Sequence, residues 1–308
     1  AVSLGIYGIQ TIIIERRTEI LPHPRADGFT PRTVEIFRAL GFPNSIIPEA
    51  KLEFKLRRVR VESLVGKWLE EVAWNAPAEE RGALLAEYSP YRGSTIPQDA
   101  LEPILLNRVA ELGVTIRLGC ELLGFSQAGE TVTAVVSGPD RECTELKVSY
   151  LVGADGHRSL ARDILSIPRS GHGQVNSIRS VLFRAPSLEP HLRKGVTQFA
   201  IDQPDLKAFL IAYQDGRLVL HLPSDLVGDD DAQQSLVFKA IGTTDVDIEI
   251  LGSSRWHMSA LIAEKFSSGR VFLIGDAAHS LPPNRGGYGA NTGIADAHNL
   301  AWKLAHVL

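Results

Sequence analysis

Residues 269–291, GRVFLIGDAAHSLPPNRGGYGAN, set an acid, paired prolines and several glycines between a short apolar run and a helical pattern, TGIADAHNLAWKLAHVL. Those residue types at that spacing suit one kind of chemistry. Asp276 leaves the end of VFLIG, where a carboxylate can accept hydrogen bonds from polyol hydroxyls. Pro282 and Pro283 stiffen the loop. Gly286, Gly287 and Gly289 let main chain lie against a flat ring, because no Cβ intervenes. The helix start then offers unpaired N–H groups and a partial positive charge, suited to a developing anion. A glycine-rich loop serving structure alone accounts for the glycines but not for acid, prolines and helix start arriving together.

Two other stretches point to the same chemistry. LVGADGHRSLARDIL places Asp155 and Gly156 directly after a strand pattern, where the acid can orient an arginine or a bound phosphate group and the glycine lets backbone pass close to a ligand. Taken alone, Asp-Gly is more often a tight turn, and its weight comes from occurring with the 269–291 stretch. QTIIIE ends a β-branched run on Glu15, which is placed to accept from ribose hydroxyls or is simply a surface acid after a strand. The usual partner of such an acid, a glycine-rich phosphate-binding turn on a first strand, is missing. Counted back from Glu15, that turn falls before Ala1, and Met258 is the only methionine, so the expectation is a chain truncated at its front. His279, after GDAA, reads as structural rather than as a base.

The elements that must position these residues alternate between helix and strand at both ends of the chain. The run at 8–16 is a buried parallel strand preceded by a helix tail closed by Gly8. TVEIFRALG forms an amphipathic helix with Val34, Phe37 and Leu40 on one face, and STIPQDALEPILLNRVAELG forms another with Pro97 at its start. Strands are expected at 114–118, 120–126, 131–137 and 144–153, a hairpin at about 55–74, and a helix near 231–241 within a strand-rich stretch from 175 to 256. The last helix is expected from about Thr292. There is no internal repeat and no low-complexity linker. The reading is α/β, with residues 1–165 and 257–308 making one interrupted nucleotide-binding domain that holds the hairpin, and 166–256 an inserted β-sheet-rich domain.

At 308 residues, 44% hydrophobic and 22% charged, with a formal charge of −4, the composition is that of an ordinary globular protein. Without a basic stripe, nucleic acid is not an expected partner. No apolar run reaches the roughly 18 residues of a spanning helix, and no signal peptide is read, so a cytoplasmic location is expected. Cys120 and Cys143 read as reduced thiols and cannot make a zinc cluster; no metal site is expected.

IIIER, HPRADGFTPRTVEIFRALG, QDALEPILLNRVAELG, YLVGADGHRSLAR and the run from GRVFLIGDAAH to AWKLA together resemble the FAD-dependent aromatic hydroxylases. These are the single-component flavoprotein monooxygenases that include para-hydroxybenzoate hydroxylase and phenol hydroxylase. The resemblance covers most of 9–41, 97–165 and 255–308 and implies an interrupted Rossmann-like FAD-binding domain with an inserted substrate domain. It implies that Glu15 holds the adenosine ribose with Arg16 beside the adenine. Arg25 would lie near the pyrophosphate and flavin, and Gln98 would reach the phosphates. Asp155 and Gly156 form the family's DG motif, tied to FAD and to transient NAD(P)H. Asp276 and Pro283 belong to the ribitol and pyrophosphate region, and the backbone of Gly289, Ala290 and Asn291 would meet the pyrimidine edge.

Asp27, in RADG, matches an aspartate near the substrate hydroxyl in the phenol hydroxylase branch, where it would draw a phenolic proton; the alternative is a turn acid before Gly28. The implied activity is hydroxylation of a phenolic or other aromatic substrate with NAD(P)H and O2 through a flavin hydroperoxide. Phe199, Phe209 and Tyr213 would line the pocket or serve as core. Tyr288 departs from the family, in which many relatives have glutamine or another polar residue there. Rival readings are a same-fold epoxidase or halogenase, a non-catalytic truncated remnant, and a nicotinamide-only dehydrogenase; flavin absorbance separates the first from the others. Monomer or homodimer stays open.

Overall fold

The computed structural model describes residues 1–21, 23–50, 58–72, 86–192, 196–226, 230–283 and 287–308. The chain divides into two units, one of Ala1–Ala50, Tyr88–Gly173 and Ser259–Leu308, the other of Lys51–Glu87 and Gln174–Met258. Two of its four crossings between them fall within long strands, Arg169–Arg184 and Glu249–Ala263.

In the first unit the expected parallel strand is Ile12–Glu15, which pairs with Thr115–Leu118 so that Glu15 stands opposite Leu118. A second parallel pair joins Leu151–Gly153 to Val271–Leu273. The stretch expected as one strand over 144–153 is two. Cys143–Val148 pairs antiparallel with Thr131–Ser137, whereas Leu151–Gly153 pairs parallel with a different strand, so the chain must turn between them. Helix Pro31–Ala39 starts where Thr30 accepts from the Thr33 N–H and Pro31 removes a donor that has no partner in a first turn. With Gln98–Glu111 and the terminal helix Tyr288–Val307, it encloses a core of Phe29, Phe37, Phe42, Ile47, Leu101 and Val109.

The terminal helix begins at Tyr288, not at Thr292 as expected. Glycine at 289 weakens the helical signal. Packing of Ala290 and Ile294 against the Phe37 cluster outweighs that deficit, and Gly287 supplies the left-handed backbone (φ 67°) ahead of the first turn.

In the second unit, strands run in the order Trp68–Val72, Arg58–Val61, Gln198–Asp202, Lys207–Ala212, Arg217–Pro223, followed by Arg169–Arg184 and Glu249–Ala263. Alternation assigns the faces. Leu218, Leu220 and Leu222 share one side with Leu210, Phe199, Val181 and Phe183, covered by Val237, Ala240 and Ile241 of helix Asp230–Ile241. Phe199 is therefore core, not pocket lining. The hairpin is Arg58–Val61 with Trp68–Val72; residues 55–57 and 73–74 of the expected 55–74 lie outside the described residues. It was expected as an insert in the first domain, yet it pairs parallel with Gln198–Asp202, because Val59 and Val61 alternate into the second unit's core.

Leu220 is fully buried at the centre of that core. Leu220→Ala should lower unfolding stability by about 2–5 kcal/mol, read as a fall in the urea midpoint of the strand-rich unit.

Candidate functional site

The parallel pair Leu151–Gly153 and Val271–Leu273 sets Gly153 opposite Leu273, and the Ile274 N–H donates to the Gly153 carbonyl at 3.1 Å. Asp155 and Asp276 therefore leave the carboxyl ends of neighbouring strands, the edge at which open α/β sheets bind ligands. Gly153 has no room for a side chain: a Cβ would stand 2.7 Å from that of Ala161, which is how closely helix Leu160–Ile164 packs on the strand. The exposed Asp155 carboxylate accepts from the Ala161 N–H at 2.9 Å and Ser159 from the Arg162 N–H at 3.0 Å, so the DG motif caps this helix, with Gly156 in the left-handed turn (φ 80°).

Arg162, buried beneath the turn, donates to the carbonyls of Ala277 (3.0 Å) and His157 (3.2 Å). It holds one end of the turn Gly275–Ala277. At the other end the Gly275 N–H donates to Asp296 Oδ2 at 2.9 Å, and His279 Nε2 lies 2.7 Å from the same oxygen. Asp276, between the two, is exposed. The Asp296 hydrogen bond holds the His279 imidazole above its ordinary range against the effect of burial. Burial pulls the Asp296 carboxyl upward, but the donors His279 and Gly275 bring it below the usual carboxylate range.

A second convergence lies at the start of the terminal helix. Asn291 is buried; its Oδ1 accepts from the Thr30 N–H (2.8 Å) and Thr33 Oγ1 (2.6 Å), and its Nδ2 donates to the Gly28 carbonyl (3.0 Å). The Ala26 carbonyl accepts from the Gln98 N–H at 2.7 Å. The RADG loop is thereby held between the starts of two helices. The N–H groups of Tyr288, Gly289 and Ala290 sit in the first turn, where no intrahelical acceptor exists. Asn291 was expected to contribute its backbone; its side chain ties the loop in place. Half-buried Asp27 has its carboxyl pushed up by burial, opposed by a hydrogen bond with its own backbone.

The remaining expected residues are more scattered. Gln98 Nε2 donates to Glu102 at 2.6 Å, Arg25 and Pro283 are exposed, and Gly286 lies outside the described residues. Glu15, at the end of the other parallel pair, accepts from the Arg17 N–H at 2.9 Å, with Arg16 exposed beside it.

Sequence reasoning named Phe209 but missed its partners on the non-core face of the second unit's sheet. Trp256 Nε1 donates to Ser180 Oγ at 2.8 Å, and Ser180 Oγ lies 2.8 Å from His221 Nδ1. The His221 ring stacks on Phe209 with centroids 6.3 Å apart and meets Trp256 edge-on. Arg58 lies over Phe209, 4.6 Å from its centroid, and burial lowers its pKa to about 10. These residues come from separate strands, so only their period-two alternation was readable in advance.

A sequence profile described as FAD binding domain matches residues 1–308. Aklavinone 12-hydroxylase RdmE of Streptomyces purpurascens is 35% identical over 330 residues, and the 4-methyl-5-nitrocatechol 5-monooxygenase of a Burkholderia species is 35% identical over 327. Each match covers 100% of this chain, but 60% and 58% of those proteins. The chain thus spans little more than half the length of these curated relatives. Among solved structures, aklavinone-11 hydroxylase in a ternary complex with FAD and aklavinone has a TM-score of 0.88 at 33% identity, over 99% of this chain and 59% of that one.

Arg162→Met should leave the Ala277 carbonyl without its buried donor and lower unfolding free energy by about 1–3 kcal/mol; an unchanged urea midpoint would mean another donor takes over. His279 carries a pH signature. Because its folded pKa is raised, its stabilisation is fully present below the ordinary histidine value of 6.5 and is lost as pH rises through the folded value. Urea unfolding across that range should show the decline, and His279→Gln should abolish it.

Proposed function

The chain belongs to the FAD binding domain family, and from that premise we propose that it is the flavin-holding portion of a monooxygenase that hydroxylates a phenolic or other aromatic substrate using NAD(P)H and O2. The observation that carries this reading is the meeting of the Asp155–Asp276 strand edge with the terminal helix, which donates Asn291 to one loop and Asp296 to the other. A flavin fits what is there. The exposed Asp276 carboxylate suits ribityl hydroxyls, the N–H groups of the first helical turn suit an anionic pyrimidine edge, and among the described residues a Cβ at Gly289 would meet nothing within 4 Å, leaving that backbone open to a ring.

In this reading Glu15 accepts from the adenosine ribose with Arg16 beside the adenine, Arg25 and Gln98 face the phosphates, and the Asp155–Gly156 turn borders FAD and transient NAD(P)H. Pro283 stiffens the loop ahead of Gly287. When bound, the flavin would supply hydride acceptance and transfer of an oxygen atom to an aromatic carbon. The protein's own part is placement and one proton. Asp27 takes the phenolic proton, which raises electron density on the ring carbon that is to be hydroxylated. Its desolvated setting suits this, because burial makes the carboxylate a stronger base. Within the second unit, Phe209 stacks on His221 beside an edge-on Trp256, with Arg58 over Phe209, an arrangement of rings and a cation that suits an aromatic ligand.

No helix among the described residues is long and apolar enough to cross a membrane. Cys120 and Cys143 are free, in keeping with a cytoplasmic location as part of the same proposal.

The test is flavin absorbance of the purified full-length protein, followed by NAD(P)H oxidation and product mass with a panel of phenols. Asp27→Asn should lower the hydroxylation kcat about a hundredfold or more while the FAD Kd changes by less than about threefold. Since the Asp27 pKa is raised, wild-type kcat/KM should climb with pH through that raised value, and the climb should vanish in the variant. Hydroxylation by Asp27→Asn at the wild-type rate would remove Asp27 from the chemistry; a full-length protein that takes up no flavin would end the reading.

A further inference from the structure

The turn that carries Asp276 is pressed against the terminal helix backbone to backbone. Gly275 has φ 57°, a Cβ on Gly293 would stand 3.3 Å from the Gly275 Cα, and one on Gly275 would stand 3.7 Å from the Gly293 Cα. Contact this close brings the next inward position of the helix, Asp296, within reach of the turn. One oxygen, Asp296 Oδ2, accepts from the Gly275 N–H at 2.9 Å and lies 2.7 Å from His279 Nε2. Within the turn, the Ala278 N–H closes back on the Gly275 carbonyl at 2.9 Å. Asp276 is the exposed residue of a segment otherwise fixed on both sides.

The charges follow the same plan. Two carboxylates, Asp276 and Asp296, act on His279. Asp296 is the one hydrogen-bonded to the imidazole, and its charge is met there and at the Gly275 N–H. Asp276 is left facing solvent with its lone pairs available to a polyol. A lone aspartate on a loose turn would have to be ordered by its ligand, at an entropic cost that this bracing removes beforehand.

We propose that Asp296, with His279 as its donor, is a positioning residue that locks the Gly275–Ala277 turn to the terminal helix, so that the Asp276 carboxylate and the N–H groups at the helix start act on one ligand. The proposal rests on the flavin reading for the identity of that ligand. The lock itself is a property of the chain.

Two readouts separate them. The first is hydrogen exchange at the Gly275 amide in the FAD-free chain. Asp296→Ala should speed it about tenfold or more, while amides of the Ile12–Glu15 and Thr115–Leu118 pair keep their protection. The second is the FAD Kd, read by quenching of flavin fluorescence. Asp296→Ala should raise it about tenfold, and Asp296→Asn, which retains an oxygen for the Gly275 N–H, should return it to within about threefold of wild type.

An unchanged Gly275 amide in Asp296→Ala overturns the lock, and Asp296→Asn as impaired as Asp296→Ala overturns the hydrogen-bonding role. Should Asp296→Ala fail to fold, His279→Gln leaves the carboxylate in place and should show a smaller change of the same sign in both readouts; no change in either overturns the proposal. If wild type binds no FAD, the flavin reading falls, and exchange at Gly275 still decides the lock.

Discussion

A turn and a helix can serve one ligand only if their backbones meet, and here they meet at Gly275 and Gly293. A side chain at Gly293 would require the turn to give by a few tenths of an ångström, and one at Gly275 would strain its left-handed backbone. Other features follow from that contact. The parallel pairing of Val271–Leu273 with Leu151–Gly153 delivers the turn to the sheet edge, and Arg162 fixes its far end through the Ala277 carbonyl. The same helix, through Asn291, then fixes the RADG loop. One helix thus braces two loops that are far apart in sequence.

The bracing is polar and mostly buried, which explains why it can be stiff. Asn291 uses its acceptor and its donors on main-chain and hydroxyl groups of the facing segment, and leaving any of those unpaired in the interior would cost about 1–3 kcal/mol. Asp296 is tolerated because it is met by an imidazole and an N–H rather than by solvent. By contrast, Asp276, Asp155 and Arg25 are exposed, which is where groups meant for a ligand are expected.

The second unit solves a different problem. Its sheet buries one face in a leucine- and valine-rich core, and strand alternation turns Phe209, His221, Ser180 and Trp256 to the other. Hydrogen bonds and ring contacts across neighbouring strands hold those side chains in line. Phe209 could be picked out beforehand as one of several aromatics at strand spacing. Its partners could not, because pairing between strands far apart in sequence brought them together.

Much of the site was legible because its motifs are local. An acid at a strand end, Asp-Gly after a strand and a glycine-rich stretch before a helix each take their meaning from residues within one or two turns of themselves, and Asp276 and Asp155 lie where those patterns put them. Boundaries that depended on packing were less legible: the helix starts at Tyr288 because Ala290 and Ile294 find a core, and the hairpin joins the second unit because Val59 and Val61 do. What tertiary structure alone decided is the role of each polar side chain. Asn291 works through its amide and Asp296 reaches Gly275, since hydrogen bonds between residues 21 or 261 positions apart exist only once the chain has folded.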